Sequence, residues 1–124
     1  MSRMRWEIVE SMVCLKEEKA GNLSARFNFP ETFAGFQGHF DGNPVLPGIC
    51  KILAVIAMYE KCQNKPFQLR EVSQAKYFIP VSFGQEIAVE CYSKINEDGS
   101  WNVKAAFQKD EAKVALLQMV IEHA

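Results

Sequence analysis

The sequence predicts an α+β fold in which one antiparallel sheet wraps around a single central hydrophobic helix. The segment at about 47–62 is apolar on nearly its whole circumference, and Lys51 is its sole charge before Glu60. A helix of that composition has to be surrounded by protein. The segments on either side alternate apolar and polar residues, which indicates half-buried strands. In a chain of 124 residues, a sheet that curls around the helix is the economical arrangement.

The size and composition of the chain favour one domain that spans residues 1–124. Hydrophobic residues make up 48% of the chain, which is enough for a core without disulfides or metal. The net charge of −1 argues against broad electrostatic binding to nucleic acid or to an anionic membrane. The longest apolar run, 52–59, is far shorter than the ~20 residues of a membrane helix. With no secretory signal, the expected location is the cytoplasm.

The cysteines and histidines do not form a metal-binding pattern. No two cysteines have a C-x-x-C spacing, and His39 and His123 are far apart in the sequence. We therefore expect the cysteines to be reduced and mostly buried, as small hydrophobic residues. They are Cys14, Cys50, Cys62 and Cys91.

The elements before the helix are predicted to be a hairpin and a loop. Residues 7–17 carry apolar residues on both alternating faces, which favours a strand, with a helix as the alternative. A turn at 19–22 separates this segment from a cleanly alternating strand at 23–29. Pro30 ends that strand, and residues 31–46 are predicted to form a short helical turn and then a loop.

The helix and the elements after it follow from proline positions and alternation. Pro47 suits a helix start, because its missing N–H is not needed there. A long strand at 67–79 is closed by Pro80, and Asn96–Gly99 is a hairpin turn signal. The other strands are predicted at 87–95, 101–107 and 112–122, with a turn at 109–111.

The stretch from Gly38 to Gly48 carries the residues suited to chemistry. His39 lies in a glycine-rich loop just before the predicted helix, whose first N–H groups lack intrahelical partners and lie at its positive end. A carbonyl oxygen placed there would be polarised as it gains negative charge, and His39 could take a proton from the neighbouring carbon α. The alternative is a structural histidine that is hydrogen-bonded to the loop backbone.

Two motifs in the sequence resemble those of the β-hydroxyacyl-acyl-carrier-protein dehydratases. Residues 38–48 fit G-H-F-x-G-x-P-V-x-P-G, and residues 76–84 are similar to the family's K-F-x-x-P-V-x-x-G segment. The resemblance implies a hot-dog fold and a homodimer with its active site at the subunit interface. It implies that His39 abstracts the α-proton and that the backbone N–H of Gly48 holds the thioester oxygen. It also implies a substrate carried on the phosphopantetheine of acyl carrier protein or on CoA, with no further cofactor.

One position departs from the family pattern. The family acid, Glu or Asp, falls fourteen residues after the histidine, and that position is Leu53. Leucine cannot protonate the departing hydroxyl, and general acid–base groups typically contribute ~10²–10⁴-fold each. The substitutes that we considered are Asp41, Lys51, Tyr59 and Glu60. For Lys51 we favour a charge that extends to solvent, for Asp41 a turn contact, and the last two are expected to be too far along the helix.

An apolar channel is expected for the acyl chain, lined by residues near the two motifs. The candidate substrate-binding residues are Phe36, Phe40, Pro47, Leu53, Tyr77 and Phe78, together with Phe33. Ordinary core packing is the alternative for each aromatic residue. Acyl carrier proteins are acidic, so Arg70 and Lys76 are candidate docking residues, with a solvated strand face as the alternative.

Three functions are compatible with these residues. The first is a hydro-lyase that converts 3-hydroxyacyl to trans-2-enoyl thioesters in fatty-acid or related lipid synthesis. The second, suggested by Leu53, is a catalytically impaired protein that binds acyl thioesters. The third is a thioesterase, because the hot-dog fold also hosts thioester hydrolysis.

Overall fold

A computed structural model describes residues 2–37 and 44–124. The helices and strands follow one another along the chain as two helices and six strands with a short 3-10 turn. They are α1 (Arg3–Glu10), β1 (Met12–Lys19), β2 (Asn22–Phe27), the 3-10 turn (Ala34–Phe36), α2 (Gly48–Gln63), β3 (Phe67–Tyr77), β4 (Ile87–Ile95), β5 (Trp101–Lys109) and β6 (Ala112–His123).

The six strands form one antiparallel sheet in the order β1-β2-β4-β5-β6-β3. Alternate residues of β4 and β5 are buried, so one face of the sheet carries the core. The other side of that core is α2, whose residues from Cys50 to Tyr59 are buried except for Leu53. The predicted sheet around one hydrophobic helix is thus the observed arrangement.

The start of the chain differs from the predicted strand at 7–17. Residues 3–10 form α1, and the strand begins only at Met12. The Ser2 hydroxyl accepts a hydrogen bond from the Arg5 N–H, and Arg3 and Glu7 form an ion pair of 2.7 Å one turn apart. Such a side-chain cap and such a pair both stabilise a short helix. The predicted hairpin is present, formed by β1 and β2.

The later elements are confirmed with small differences at their ends. α2 begins at Gly48, with Pro47 as its extended N-cap, and ends at Gln63. Its C-cap, Asn64, adopts the left-handed conformation with a φ of 54°. The predicted strands at 67–79, 87–95, 101–107 and 112–122 correspond to β3, β4, β5 and β6. Among the described residues, no helix is long and apolar enough to cross a membrane.

One face of α2 is not covered by this chain, contrary to the expectation of a fully surrounded helix. Ile49 is 50% exposed and Leu53, one turn later, is partly exposed. On β3, side chains that point to the same side of the sheet as the core are also exposed, notably Leu69 and Val72 at 38% each. β3 is at the edge of the sheet, where its described neighbour is β6 alone, and it extends beyond the cover that α2 provides.

The cysteines are free thiols, as expected, but they are less uniformly buried than predicted. Cys50 and Cys91 are buried, Cys62 is partly exposed, and Cys14 is exposed. Cys14 lies at an irregularity between Val13 and Lys16 of β1 and has a φ of 57°, so its side chain leaves the regular alternation of the strand. Burial raises the pKa of the Cys50 thiol to about 11, which keeps that thiol protonated.

Candidate active site at the start of helix α2

The backbone segment that leads into α2 is held from two sides. The Leu46 N–H donates a hydrogen bond of 2.7 Å to the carbonyl of Val81, in the loop after β3. The carbonyl of Leu46 accepts a hydrogen bond of 3.2 Å from Nζ of Lys51, on the first turn of α2. Gly48 is the first residue of the helix, so its N–H has no intrahelical acceptor. The segment therefore presents that amide from a fixed backbone.

Three of the residues selected from the sequence lie outside the described residues. They are His39, Phe40 and Asp41. The role of His39 as a base, the role of Phe40 as a lining residue and the turn contact of Asp41 accordingly stay predictions. The chain on both sides of them, up to Gln37 and from Pro44, is described.

Gly48 and Tyr77 are in direct contact at the start of α2. A Cβ atom on Gly48 would lie 2.7 Å from the hydroxyl oxygen of Tyr77 and 2.8 Å from its ring carbon Cζ. Any side chain at position 48 would displace the phenol, so this close approach requires glycine. The contact joins the second motif to the end of the first, since Tyr77 is the last residue of β3. Tyr77 is 49% exposed. Its partial burial raises the pKa of the hydroxyl, so the hydroxyl is protonated.

Lys51 is buried, which corrects the expectation that its charge extends to solvent. Only 4% of the residue is exposed, and its Nζ lies 5.2 Å from the centroid of the Tyr77 ring. Burial lowers the pKa of the Lys51 amine, because a charge in apolar surroundings loses its hydration. The Leu46 carbonyl and the face of the Tyr77 ring are the groups that stabilise the ammonium.

The 3-10 turn before the first motif is tied to both helices. Oε1 of Glu7 accepts a hydrogen bond of 2.7 Å from the Ala34 N–H. A Cβ atom on Gly35 would collide with the Phe33 ring and lie 2.9 Å from Sγ of Cys50, so the turn packs tightly against α2. The hydrogen bond from Ala34, followed by that from Arg3, holds the pKa of the Glu7 carboxyl below its usual range. The 3-10 turn that precedes the first motif is thus anchored by an ionised carboxylate.

The predicted lining residues fall into two groups. Phe33 and Phe36 are buried and pack edge to face with centroids 5.5 Å apart, which is the core-packing alternative rather than an open channel. Phe78 is 50% exposed beside Tyr77, while Pro47 and Leu53 are partly exposed near the uncovered face of α2. These four residues, Pro47, Leu53, Tyr77 and Phe78, are therefore accessible to a ligand at the start of the helix.

Two proposed substitutes for the missing acid are engaged elsewhere. Tyr59 is buried and its hydroxyl donates a hydrogen bond of 2.9 Å to the Gly21 carbonyl. Glu60 accepts hydrogen bonds from Arg5 at 2.7 Å and from the Phe67 N–H at 2.9 Å. These contacts agree with the expectation that neither Tyr59 nor Glu60 is the acid.

The docking candidates differ in their surroundings. Arg70 forms ion pairs with Asp98 at 2.7 Å and with Glu122 at 3.9 Å, so much of its charge is already neutralised. Lys76 is exposed on β3 next to Tyr77. Within the described part of the chain, no group of three or more metal-ligating side chains comes together.

From the sequence, Tyr77 was expected only to line the acyl channel, and no role was expected for its hydroxyl. The signal was nevertheless present in the second motif, where the position after the lysine is Phe in the family segment and Tyr77 in this chain. The contact with Gly48 joins residues that are 29 positions apart in the sequence, so no local pattern revealed it.

A model of one protein family matches most of the chain. It is described as ApeI-like, ApeI dehydratase, and it covers residues 15–117. Among curated proteins, the 3-hydroxyacyl-[acyl-carrier-protein] dehydratase FabZ of Lactobacillus helveticus is 33% identical over 113 residues, which cover 86% of this chain and 68% of that protein. FabZ of Geotalea uraniireducens is 30% identical over 77 residues, but the match spans 55% of this chain and only 53% of that relative.

Solved structures with the same fold are more distant in sequence. The dehydratase heterocomplex ApeI:P from Xenorhabdus doucetiae superposes with a TM-score of 0.74 at 14% identity, over 89% of this chain and 95% of the matched one. A sigma28-regulated virulence protein of Campylobacter jejuni superposes with a TM-score of 0.67 at 14% identity, over 98% and 96% of the two chains. The predicted hot-dog fold is thereby confirmed.

Proposed function

This chain belongs to the ApeI-like dehydratase family, and from that premise we propose that it dehydrates a 3-hydroxyacyl thioester to the trans-2-enoyl thioester. The observation that carries the proposal is the match of the family over residues 15–117, which includes both motifs and the start of α2. The exposed surface around Gly48, with Tyr77 and Phe78 beside it, supports a site for an acyl thioester at that place.

In the proposed reaction, a hydrogen leaves carbon α and a hydroxyl leaves carbon β. His39 takes the α-proton, and the amide at the beginning of α2 stabilises the negative charge that develops on the thioester oxygen. The N–H of Gly48, which has no intrahelical acceptor, and the two hydrogen bonds on Leu46 support this second role, because donors that are fixed beforehand need no reorganisation during the reaction.

We propose that the substrate arrives on the phosphopantetheine arm of acyl carrier protein, or on CoA, in the cytoplasm and without a further cofactor. The two FabZ relatives are named for acyl-carrier-protein substrates, which supports the first carrier. Lys76, exposed beside Tyr77, is the better docking residue for an acidic carrier, since Arg70 is paired with Asp98 and Glu122.

We also propose a homodimer that forms through β3. An unpaired strand edge can pair with another chain, and apolar side chains on its exposed face favour such contact. Leu69 and Val72 on β3, and Ile49 on α2, provide this combination. Val72→Lys is expected to yield monomers in size-exclusion chromatography with light scattering. Ile95→Lys, at a 65% exposed position on β4, should remain dimeric, and a monomeric wild type would disprove the dimer.

A catalytically impaired thioester-binding protein is the second candidate function, and Leu53 in place of the family acid favours it. An assay of the reverse reaction distinguishes the two candidates. It measures the hydration of a trans-2-enoyl pantetheine thioester through the decrease in enoyl absorbance. Wild-type turnover well above that of His39→Ala supports the dehydratase. Saturable binding with turnover equal to that of His39→Ala supports the impaired protein, and release of free thiol would instead identify a thioesterase.

A further inference from the structure

Leu53 cannot donate the proton that the departing hydroxyl needs. The hydroxyl of Tyr77 is a candidate donor, because of its position next to Gly48. The hydroxyl of Tyr77 lies against Gly48, the residue whose amide is to hold the thioester oxygen. In a 3-hydroxyacyl thioester the carbonyl oxygen and the β-hydroxyl can close a six-membered hydrogen-bonded ring. A donor beside the carbonyl site can therefore also reach the β-hydroxyl.

The surroundings of Tyr77 suit a proton donor. The hydroxyls of Tyr59 and Tyr92 contact the Gly21 carbonyl and the Glu90 carboxylate, whereas that of Tyr77 has no such partner among residues 2–37 and 44–124. Its ring lies 5.2 Å from the buried Nζ of Lys51. A positive charge close to the ring stabilises the phenolate that remains after the proton has left.

We propose that the Tyr77 hydroxyl is the general acid of this dehydratase, in place of the carboxylate missing at position 53. This inference rests on the proposed function. As His39 removes the α-proton, the C–H electrons form the double bond and the bond between carbon β and oxygen breaks. The departing oxygen takes the Tyr77 proton and leaves as water. The imidazolium releases its proton to solvent and the phenolate takes one up from solvent, so that one water is lost and the enzyme is restored.

The test compares two substrates that differ in their leaving group. Tyr77→Phe removes the hydroxyl and keeps the ring, and Tyr92→Phe, at an exposed position on β4, is the matched control. With a 3-hydroxyacyl pantetheine thioester, kcat of Tyr77→Phe should fall ~10²-fold or more, while Tyr92→Phe should resemble the wild type. With the 3-chloroacyl thioester, whose chloride leaves without a proton, Tyr77→Phe should stay within about threefold of the wild type.

Each outcome decides between the possibilities. If Tyr77→Phe dehydrates the 3-hydroxyacyl thioester at the wild-type rate, Tyr77 is not the acid, although the proposed function stands. If its rates fall in parallel on both substrates, the hydroxyl acts on the thioester oxygen or on folding, and the role as acid is overturned. If the wild type dehydrates no 3-hydroxyacyl thioester, the proposed function fails, and this inference fails with it.

Discussion

The carboxylate of Glu7 and the backbone N–H of Ala34 form a hydrogen bond of 2.7 Å between helix α1 and the 3-10 turn. The same Glu7 pairs with Arg3 within α1, and the Ser11 hydroxyl donates to its carbonyl. Glu7, near the start of the sequence, therefore holds the turn that precedes the Gly38–Gly48 segment. The other end of that segment is fixed at Leu46, by the hydrogen bonds that it makes with Val81 and Lys51.

Glu7→Gln is expected to make the stability of the protein less dependent on acid pH. The folded-state pKa of Glu7 lies below its usual value, so its contribution is present above the usual value and is lost as the pH falls through the folded pKa. Glutamine keeps an acceptor oxygen but does not titrate. Urea unfolding at neutral pH and about one unit below the usual Glu pKa of ~4.3 measures the difference. Glu10→Gln, at an exposed position of α1, is the control, and an equal effect of both changes would contradict the prediction.

Gly48→Ala is expected to reduce activity without unfolding the protein. Gly48 is not among the residues with positive φ, and alanine is the better helix former, so the free energy of unfolding should change by less than ~1 kcal/mol. The new methyl group must, however, push the Tyr77 phenol aside. We expect kcat for dehydration to fall by ~10²-fold, since a displaced acid is as ineffective as an absent one. In a Tyr77→Ala background, Gly48→Ala should have little further effect on kcat. If the two changes instead lowered kcat independently, so that their effects on the barrier added, this explanation would be contradicted.

Lys51→Met is expected to raise stability at neutral pH by about 1 kcal/mol, because it removes a buried charge that lacks a carboxylate partner in the described structure. The folded-state pKa of Lys51 is lowered by burial, so the unfolded chain binds more protons in the window between the two pKa values. The wild type therefore gains stability as the pH rises toward ~10.4, and the advantage of Met should shrink there. Lys61→Met, at an exposed position of α2, is the control. A pH-independent difference between Lys51→Met and the wild type would mean that folding does not change the pKa of Lys51, and would contradict the prediction.

Leu53→Glu is expected to restore dehydration to the Tyr77→Phe variant. The resemblance to the dehydratase motif implies an acid at position 53, and the partial exposure of Leu53 leaves room for a carboxyl group beside the uncovered face of α2. We expect at least a tenfold recovery of kcat, equivalent to ~1.4 kcal/mol in the barrier. Ile49→Glu, one turn earlier on the same exposed face, should not rescue the variant. Equal rescue by both changes would mean that any carboxylate on this face suffices.

The sequence predicted α2 and most of the sheet because their patterns are unambiguous. Trp101, Val103, Ala105 and Phe107 alternate strictly and are all buried on β5. The predicted strand at 7–17 is confirmed only from Met12 onward, because the apolar residues of this segment fit both a strand and a helix. Helix formation at residues 3–10 depends on the Ser2 cap and the Arg3–Glu7 ion pair. Their small contributions are not visible in a pattern of hydrophobic residues.

The candidate site was predictable only in part, because its contacts join elements that are far apart in the sequence. Gly48 was identified from its place in a motif, but the burial of Lys51 depends on Leu46 and Tyr77, which supply its carbonyl and its ring. A lysine side chain is long enough to extend into solvent or to pack against other parts of the protein. The sequence alone does not show which residues surround it. Contacts between elements, rather than patterns within them, determine both the state of Lys51 and the position of Tyr77.

The pairing of β3 with β6 has a consequence for how the protein is made. Residues 67–77 have to wait for residues 112–123 to leave the ribosome before they gain their neighbour, while β4 and β5 form a local hairpin as soon as they emerge. During that interval the nascent chain carries an apolar helix and a lone strand. Ribosome-bound chains in which β6 has not emerged should therefore recruit chaperones, and emergence of the twelve residues of β6 should release them.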